Sequence, residues 1–484
     1  MASRPHGRDL TQGPIAKTLL AFALPTLASS ILQSLNGTVN AIWVGRFLGE
    51  DALAATSNAN MIMFLLMSFV FGFGMASTVL IGQAFGRKDV DGGRRVIGTA
   101  IGSFVFVAAA IALAGWFFSP ALLKLLATPA DAAPLALAYL RVIFIAMPAI
   151  LILVLLMMGM RGAGDAMTPL WAMLVAVVLD STLNPVFILG LGPAPRLGIA
   201  GSATATVIAN YTALIGLLVY MYARDLPLRL KRRELRYLIP DPAILKTIVV
   251  KGTPMGLQMI VISASALALI GLVNREGVDT TAAFGVAMQL WTYLQMPAMA
   301  LGAAVSAMCA QNIGAGRWDR VGRITGSAIV FTLIITGVLV MLLAIADRPA
   351  LALFLGSHSP ALPIARHIQL LATWSFLMMG VTIVLFGTVR ANGSVIGPLI
   401  ILAIGLVPVR LGFALGAYPW LKADALWLSF PVSSLANISM AIAFYLHGGW
   451  RKARMTLPPV DQQEVVEEAL AATPEPGGRL NPAG

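Results

Sequence analysis

The sequence predicts an all-α integral membrane protein of twelve transmembrane helices, arranged as two parallel six-helix lobes related by a pseudo-two-fold axis along the membrane normal. Three observations carry this. Of the 484 residues, 58% are hydrophobic and only 11% charged, under half the roughly 25% charged share of ordinary soluble domains. The apolar residues gather into twelve long runs. The second six runs repeat features of the first at an offset of about 229 residues.

The runs fall at 17–45, 52–82, 96–118, 133–158, 169–191 and 199–222, then at 248–273, 281–310, 324–346, 364–388, 397–417 and 424–447. Each can cross ~30 Å of hydrocarbon as a helix of ~20 residues. None alternates with period 2, and an isolated strand could not satisfy its backbone in lipid, so barrel strands are excluded. Arg4, Arg8 and Lys17 ahead of Leu19 have the flavour of a signal peptide. The apolar stretch runs on to Trp43, too long for a cleaved segment, and is expected to stay as the first span.

Lys and Arg concentrate in the segments that a cytoplasmic N-terminus would put inside, most densely between Arg224 and Lys251. That stretch is expected to anchor the topology at the headgroup surface, with lipid recognition as the alternative. The expected organisation is a cytoplasmic segment over 1–16, a first lobe over 17–222, a basic cytoplasmic linker over 223–247, a second lobe over 248–447 and a partly disordered cytoplasmic tail over 448–484. The expected location is the cell inner (plasma) membrane, with both termini cytoplasmic.

The repeat rests on two motifs. Ile81-Gly82-Gln83-Ala84-Phe85-Gly86-Arg87 matches Cys309-Ala310-Gln311-Asn312-Ile313-Gly314-Ala315, and Arg161-Gly162-Ala163-Gly164 with Pro169 matches Arg390-Ala391-Asn392-Gly393 with Pro398. Six is an even number of crossings, so the second half enters from the same side as the first and the halves are parallel. A cleft between two such lobes suits alternating access.

Several chemistries are missing from the sequence. The net charge of +12 lies in short segments between spans, which does not make a nucleic-acid surface. A single cysteine, Cys309, excludes disulfide frameworks and CxxC metal sites, and His6, His358, His367 and His447 show no ligand spacing. No phosphate loop, GxSxG or HExxH is present. The chain is therefore expected to be no enzyme and to need no cofactor, and any pumping must draw on an ion gradient.

What remains is a small set of costly polar residues in lipid. Asp180 is the one carboxylate deep in an apolar run, at a cost of ~2.5–3.5 kcal/mol on insertion scales. Such a residue is expected to face a cavity or a partner. A carboxyl that takes up and releases protons is the basis of ion coupling; a hydrogen-bonded structural acid between helices is the alternative. Asn184 follows one turn later on nearly the same face, and Pro185 frees the carbonyl of Ser181. Asn40, with Gln33, Asn36 and Thr38 nearby, is placed to face this locus, and Thr204, Thr206 and Asn210 in the sixth span add hydroxyl and amide groups. Asp180, Asn184 and Asn40 are the expected ion-coupling residues. Any one amide or hydroxyl taken singly also fits an ordinary interhelical hydrogen bond.

Arg410 is the corresponding oddity of the second half. A mid-span Arg stays charged and needs a partner; its roles are to hold a helix broken at Pro408 or to contact substrate. Gln33, Asn36, Thr206, Asn210, Gln258, Gln289 and Arg410 are the expected lining of a substrate cavity. The 23 methionines, including Met63 and Met67 in one span and Met288, Met296 and Met299 in its counterpart, suit an adaptable apolar site, although core packing explains them as well.

At these residues the chain resembles the multidrug and toxic compound extrusion (MATE) family. The similarity lies in Pro25, Val39-Asn40-Ala41-Ile42-Trp43-Val44-Gly45, Gln83 with Gly86, Arg161 to Gly164, Leu179 to Pro185, Leu197 to Thr206 and Gln311 to Gly316, and covers about residues 15–450. The resemblance implies an antiporter that exports organic, often cationic, compounds in exchange for H⁺ or Na⁺. Similar proteins usually have Asp where Asn40 stands, and an Asn one turn before an Asp where this chain has Asp180 before Asn184. One acid therefore stays in the first lobe, moved by a turn, and H⁺ is favoured over Na⁺ as the coupling ion. The alternatives are a weakly coupled facilitator or a lipid-linked-sugar flippase, which would want a basic cavity. The expected partners are small organic cations or drugs and the lipid bilayer, with no nucleic acid, and the expected working form is a monomer.

Overall fold

The computed structural model describes residues 9–125, 133–453 and 455; the first eight residues and nearly all of the expected tail lie outside the described residues. Among the described residues the fold is helical, with no strand. The first lobe comprises α1 (Ile15–Leu48), α2 (Glu50–Gly86), α3 (Val90–Leu125), α4 (Ala133–Gly162), α5 (Met167–Leu189) and α6 (Ile199–Ala223). The second begins with α7 (Pro242–Val273), α8 (Val278–Gly314) and α9 (Trp318–Ile345). The short α10 (Asp347–Leu355) leads to α11 (Ala361–Ala372) and α12 (Ser375–Arg390), then α13 (Ile396–Ile404), α14 (Arg410–Gly416), the single-turn α15 (Tyr418–Leu421) and α16 (Asp424–His447). Among the described residues eleven helical spans are long and apolar enough to cross a membrane unaided, and α11 with α12, bent by 48°, counts as a twelfth if taken as one span.

The eleventh span is not broken at Pro408. A π-turn at Gly405–Val409 joins α13 to α14 in one 21-residue span. A proline disrupts the helical ladder, and the extra residue of the π-turn absorbs the disruption. Ser265 Oγ of α7 donates to the Leu406 carbonyl inside the turn at 2.8 Å.

The second repeat motif is a helix terminator. Gly164 and Gly393 adopt φ of +91° and +81°, a left-handed conformation that costs glycine nothing. The Gly164 N–H donates to the Arg161 carbonyl at 3.1 Å and the Gly393 N–H to the Arg390 carbonyl at 2.8 Å. Asp165 then accepts from the N–H groups of Met167 and Thr168, both at 3.0 Å, and so starts α5.

The basic linker is packed against the first lobe. Its 3₁₀ turn, Arg232–Leu238, lies on α3 at Gly102, where a Cβ would come within 1.8 Å of the Leu238 carbonyl oxygen. Arg94 Nη1 pairs with Glu234 and Arg95 Nη2 with Asp241, each at 2.9 Å. Tyr237 donates to Asp91 at 2.9 Å, and burial together with that carboxylate raises its phenol above the usual range, so it stays a donor. Asp241 also caps α7 through the N–H groups of Ala243 and Ile244, with Pro242 at the first turn, so the helix starts before residue 248.

Buried apolar residues show where the lobes join. One core draws on both lobes, uniting Leu19, Leu80 and Met160 with Ile248, Leu301 and Met308. A second core lies wholly within the first lobe, around Tyr139, Phe144 and Met147, and a third wholly within the second, around Trp291, Trp427 and Phe430. The lobes therefore share a core at one end, which carries Leu10, the 3₁₀ turn and Trp450, and keep separate cores at the other. We call the shared end basal.

The first repeat motif makes the basal junction, and makes it twice. α1 packs on α8 as α7 packs on α2, and α2 meets α8 at the axis. Gln83 Nε2 donates across to the Ala391 carbonyl at 2.8 Å, and Gln311 Nε2 donates back to the Gly162 carbonyl at 3.0 Å. Each Gln motif thus grips the helix terminator of the opposite lobe. The N-terminal segment closes over the junction: the Leu10 N–H donates to Gln311 Oε1 at 3.0 Å, and Asn312 Nδ2 donates to the Leu10 carbonyl at 3.1 Å.

Candidate functional site

α5 presents Asp180 and Asn184 one turn apart, on the side where α1 and α6 pack. They are 2% and 1% exposed. Asn36 Nδ2 of α1 donates to Asp180 Oδ2 at 2.9 Å, and Thr206 Oγ1 of α6 donates to Oδ1 at 2.9 Å. Asn184 Nδ2 donates to the Asp180 carbonyl at 3.2 Å, and Asn210 Nδ2 to the Thr206 carbonyl at 2.8 Å. One turn further along α1, Asn40 Oδ1 accepts from Ser202 Oγ at 2.7 Å, and the Asn40 side chain is also hydrogen-bonded to Tyr139 of α4. The cluster thus ties four helices of one lobe together.

Its chemistry is two-sided. One donor on each carboxylate oxygen suits the ionised acid, which can only accept. Two amide oxygens of the same cluster, Asn36 Oδ1 and Asn184 Oδ1, are buried and accept from nothing. Such orphans suit a proton carried by the acid, or a cation in its place. Among the described residues no three His, Cys, Asp or Glu side chains are grouped to hold a metal.

A second locus lies between the lobes. A cavity of about 290 Å³ is lined from the first lobe by Phe71, Met75 and Met158 and from the second by Met259, Met299 and Met379. Its volume is near the lower end of small-molecule sites, roughly 300–1,000 Å³. Gln258, Gln295 and Asn437 supply amides, and Arg161, Arg390 and Arg410 supply charge. Among the described lining residues there is no carboxylate. Arg410 Nε donates to Ser433 Oγ at 3.1 Å, and its guanidinium lies 4.5 Å from the Phe430 ring centroid.

The expected site residues are therefore divided. Asp180, Asn184, Asn40, Asn36, Thr206 and Asn210 meet in the first-lobe cluster, with Asn36, Thr206 and Asn210 there rather than in the lining of the cavity. Gln258 and Arg410 line the cavity. Gln33 is exposed on α1, and Gln289 is exposed on α8, bonded to Tyr293 at 3.2 Å; neither lines it. Sequence reasoning missed Ser202 and Tyr139 in the cluster and Arg161 and Arg390 in the cavity. The two arginines had a signal, since both open the same repeat motif.

The two-lobed chain is similar to known proteins over nearly its whole length. The MatE family model fits the chain twice, over residues 25–186 and 254–415, with the same spacing as the repeat. The probable multidrug resistance protein YoeA of Bacillus subtilis (strain 168) is 36% identical over 442 residues, covering 91% of this chain and 95% of that protein. The FAD transporter of Shewanella oneidensis is 27% identical over 452 residues, covering 91% and 95%. Among solved structures, the outward-facing conformation of a multidrug resistance MATE family transporter superposes with a TM-score of 0.83 at 20% identity, over 92% of this chain and 97% of that one. Twofold coverage by one family model and end-to-end similarity to YoeA place this chain in the MATE family of membrane transporters.

Proposed function

We propose that the protein is a secondary active exporter of organic compounds that works by alternating access and exchanges its substrate for H⁺ bound at Asp180. The observation that carries this is the Asp180 cluster: a buried acid with donors for its ionised form and unused acceptors beside them for its protonated form. Protonation turns one carboxyl oxygen into a donor, so that one of Asn36 and Thr206 loses its acceptor, and this repartitions α1 between α5 and α6 on one side and α8 on the other. α1 is the element that can transmit this, because its Asn36 and Asn40 bond within the lobe while its basal half packs on α8, with Pro25 between. With the termini cytoplasmic in an inner membrane, as the Lys and Arg distribution favours, the shared basal core lies on the inside, and the joined lobes correspond in this reading to an outward-facing arrangement.

A lone carboxylate favours H⁺; Na⁺ would need more anionic oxygen than Asp180 offers. Export of drugs is supported by the similarity to the probable multidrug resistance protein. Organic cations would find no carboxylate among the described residues of the cavity. A second reading, a transporter of phosphate-bearing molecules such as a lipid-linked sugar, gains from the three arginines there. The proton-coupling reading is tested by dye accumulation in cells expressing the chain, with and without a protonophore, and by an imposed pH gradient in proteoliposomes. Asp180→Asn should abolish gradient-driven export while the protein stays folded. Undiminished export by Asp180→Asn would refute the role of this acid.

A further inference from the structure

The charge lining the cavity runs opposite to what an exporter of organic cations needs. Its charged groups are Arg161 at the end of α4, its repeat partner Arg390 at the end of α12, and Arg410 at the start of α14. No carboxylate neutralises any of them among the described residues. The Arg161 side chain makes no hydrogen bond or ion pair among the described residues, and its Nε is buried without a partner. Arg390 spends one donor, Nε to the Phe386 carbonyl at 3.1 Å, and Arg410 spends one, Nε to Ser433. A guanidinium has five N–H donors in a fork that fits carboxylate or phosphate two at a time, so the outer edges of all three are left open. The acid that could compensate them is engaged elsewhere, since both oxygens of Asp180 are occupied by Asn36 and Thr206 within the first lobe.

Unpaired arginines inside a membrane are costly and mark a substrate path or an absent counter-charge. Here the two lobes each contribute at least one, and the rest of the wall mixes methionines and two phenylalanines with aliphatic side chains, hydroxyls and amides, the methionines moulding to apolar bodies of differing shape. From this we infer that the cavity binds amphiphilic organic anions: an apolar, preferably aromatic, body seated among the methionines and a phosphate or carboxylate held by Arg161, Arg390 and Arg410. The inference rests on the reading of this cavity as the substrate site. The anionic group can belong to a soluble metabolite or to a lipid-linked phosphate. Arg161 and Arg390 sit on opposite lobes at the basal end of the cleft, so an anion bridging them bonds to both lobes at once.

The test is equilibrium binding to the full-length protein in detergent, read by flavin fluorescence anisotropy, which does not depend on proton coupling. Riboflavin 5′-phosphate and riboflavin share a ring system and differ in the phosphate. The phosphate form should bind at least tenfold more tightly, and Arg161→Gln should remove most of that preference while leaving riboflavin affinity unchanged. Arg161→Gln breaks no hydrogen bond in the structure; Arg410→Gln, with Arg410→Lys as its charge-retaining control, provides a second route should the first fail to fold. Competition by dodecyl phosphate at concentrations far below those needed with inorganic phosphate would assign the source as a lipid-linked phosphate, and competition by soluble aromatic phosphates alone would assign a metabolite. Asp180→Asn should bind riboflavin 5′-phosphate normally even where it loses gradient-driven export, so failure of the coupling reading and failure of this one are separable. Equal affinity for the two flavins, or ethidium displacing both at lower concentration, overturns the inference.

Discussion

Gly86 and Gly314 occupy equivalent positions in the repeated Gln motif and pack reciprocally at the basal junction. A Cβ on Gly86 would lie 2.0 Å from the Gln311 carbonyl oxygen and 2.8 Å from its carbon; one on Gly314 would lie 2.1 Å from the Gln83 carbonyl oxygen. Real Cβ atoms do not approach closer than about 3.0 Å, so Gly86→Ala forces α2 and α8 apart by about 1 Å. Neither glycine has a positive φ, so alanine costs the helices nothing and would even favour them by up to ~1 kcal/mol. The penalty therefore falls on the joined state alone. Overpacking of this kind costs about 1–3 kcal/mol, and a differential of that size shifts a two-state equilibrium by roughly 5–150-fold. The lone native thiol, Cys309, is buried, which simplifies site-directed spin labelling. Labels at Arg87→Cys and Asp319→Cys, on the basal surfaces of opposite lobes, should show a longer distance population growing in Gly86→Ala and again in Gly314→Ala. An unchanged distance distribution with wild-type transport would refute the idea that this junction is a gate.

Other substitutions probe the remaining elements. Asn40→Asp places a second acid against Ser202 and Tyr139 and should move the pH profile of transport in proteoliposomes; an identical profile puts Asn40 outside the coupling unit. Arg94→Ala takes the ionic partner from Glu234 and frees the Pro227 carbonyl, both at present bonded to Arg94 within 2.9 Å, and should lower stability by about 1–3 kcal/mol, read as a drop in thermal midpoint; no drop would mean that the linker is not latched. Trp291 is buried and donates to Gln369 at 3.0 Å and Thr373 at 2.9 Å. Trp291→Ala should cost ~3–5 kcal/mol, with Trp291→Phe intermediate, because it loses both indole hydrogen bonds but keeps most of the packing while Thr373 still donates to Gln369.

How much of this was legible beforehand follows from the physics of each feature. The spans were readable because hydrocarbon imposes a length and composition that few other structures share. Asp180 was readable because a single acid in a long apolar run has few reasons to be there. The faces of the helices were not. Gln33 and Gln289 were expected in a cavity and are exposed, since helices that are apolar all round carry no stripe from which to read an inward side. Arg161 and Arg390 were hidden for a different reason: at the ends of spans they look like topology signals, and only tertiary packing turns them into the cleft. The linker latch depends on ion pairs such as Arg95–Asp241, 146 residues apart in the chain, which no local pattern announces. The Gln motif was noticed as a repeat, but its partner, the Arg motif of the other lobe, became apparent only from the crossing hydrogen bonds.

The separation of the acid from the cavity constrains how coupling can work. If Asp180 contacted substrate, proton and substrate would compete at one point, and neutralising the acid would change affinity directly. Instead Asp180 is walled into α1, α5 and α6, while the cavity is lined without it. Under the proposed exchange, coupling must then pass through a change in the lobes, and each ligand can shift that equilibrium only by its differential affinity for the two states. Asp180→Asn should therefore leave the dissociation constant of a cavity ligand within about threefold in this joined state, and should make the basal spin-label distances insensitive to pH. The wild type should show those distances lengthening as pH falls, because protonation removes the ionised acid that Asn36 and Thr206 now serve. A tenfold change in ligand affinity in Asp180→Asn, with pH-dependent distances retained, would put proton and substrate in direct competition and remove α1 as the transmitting element.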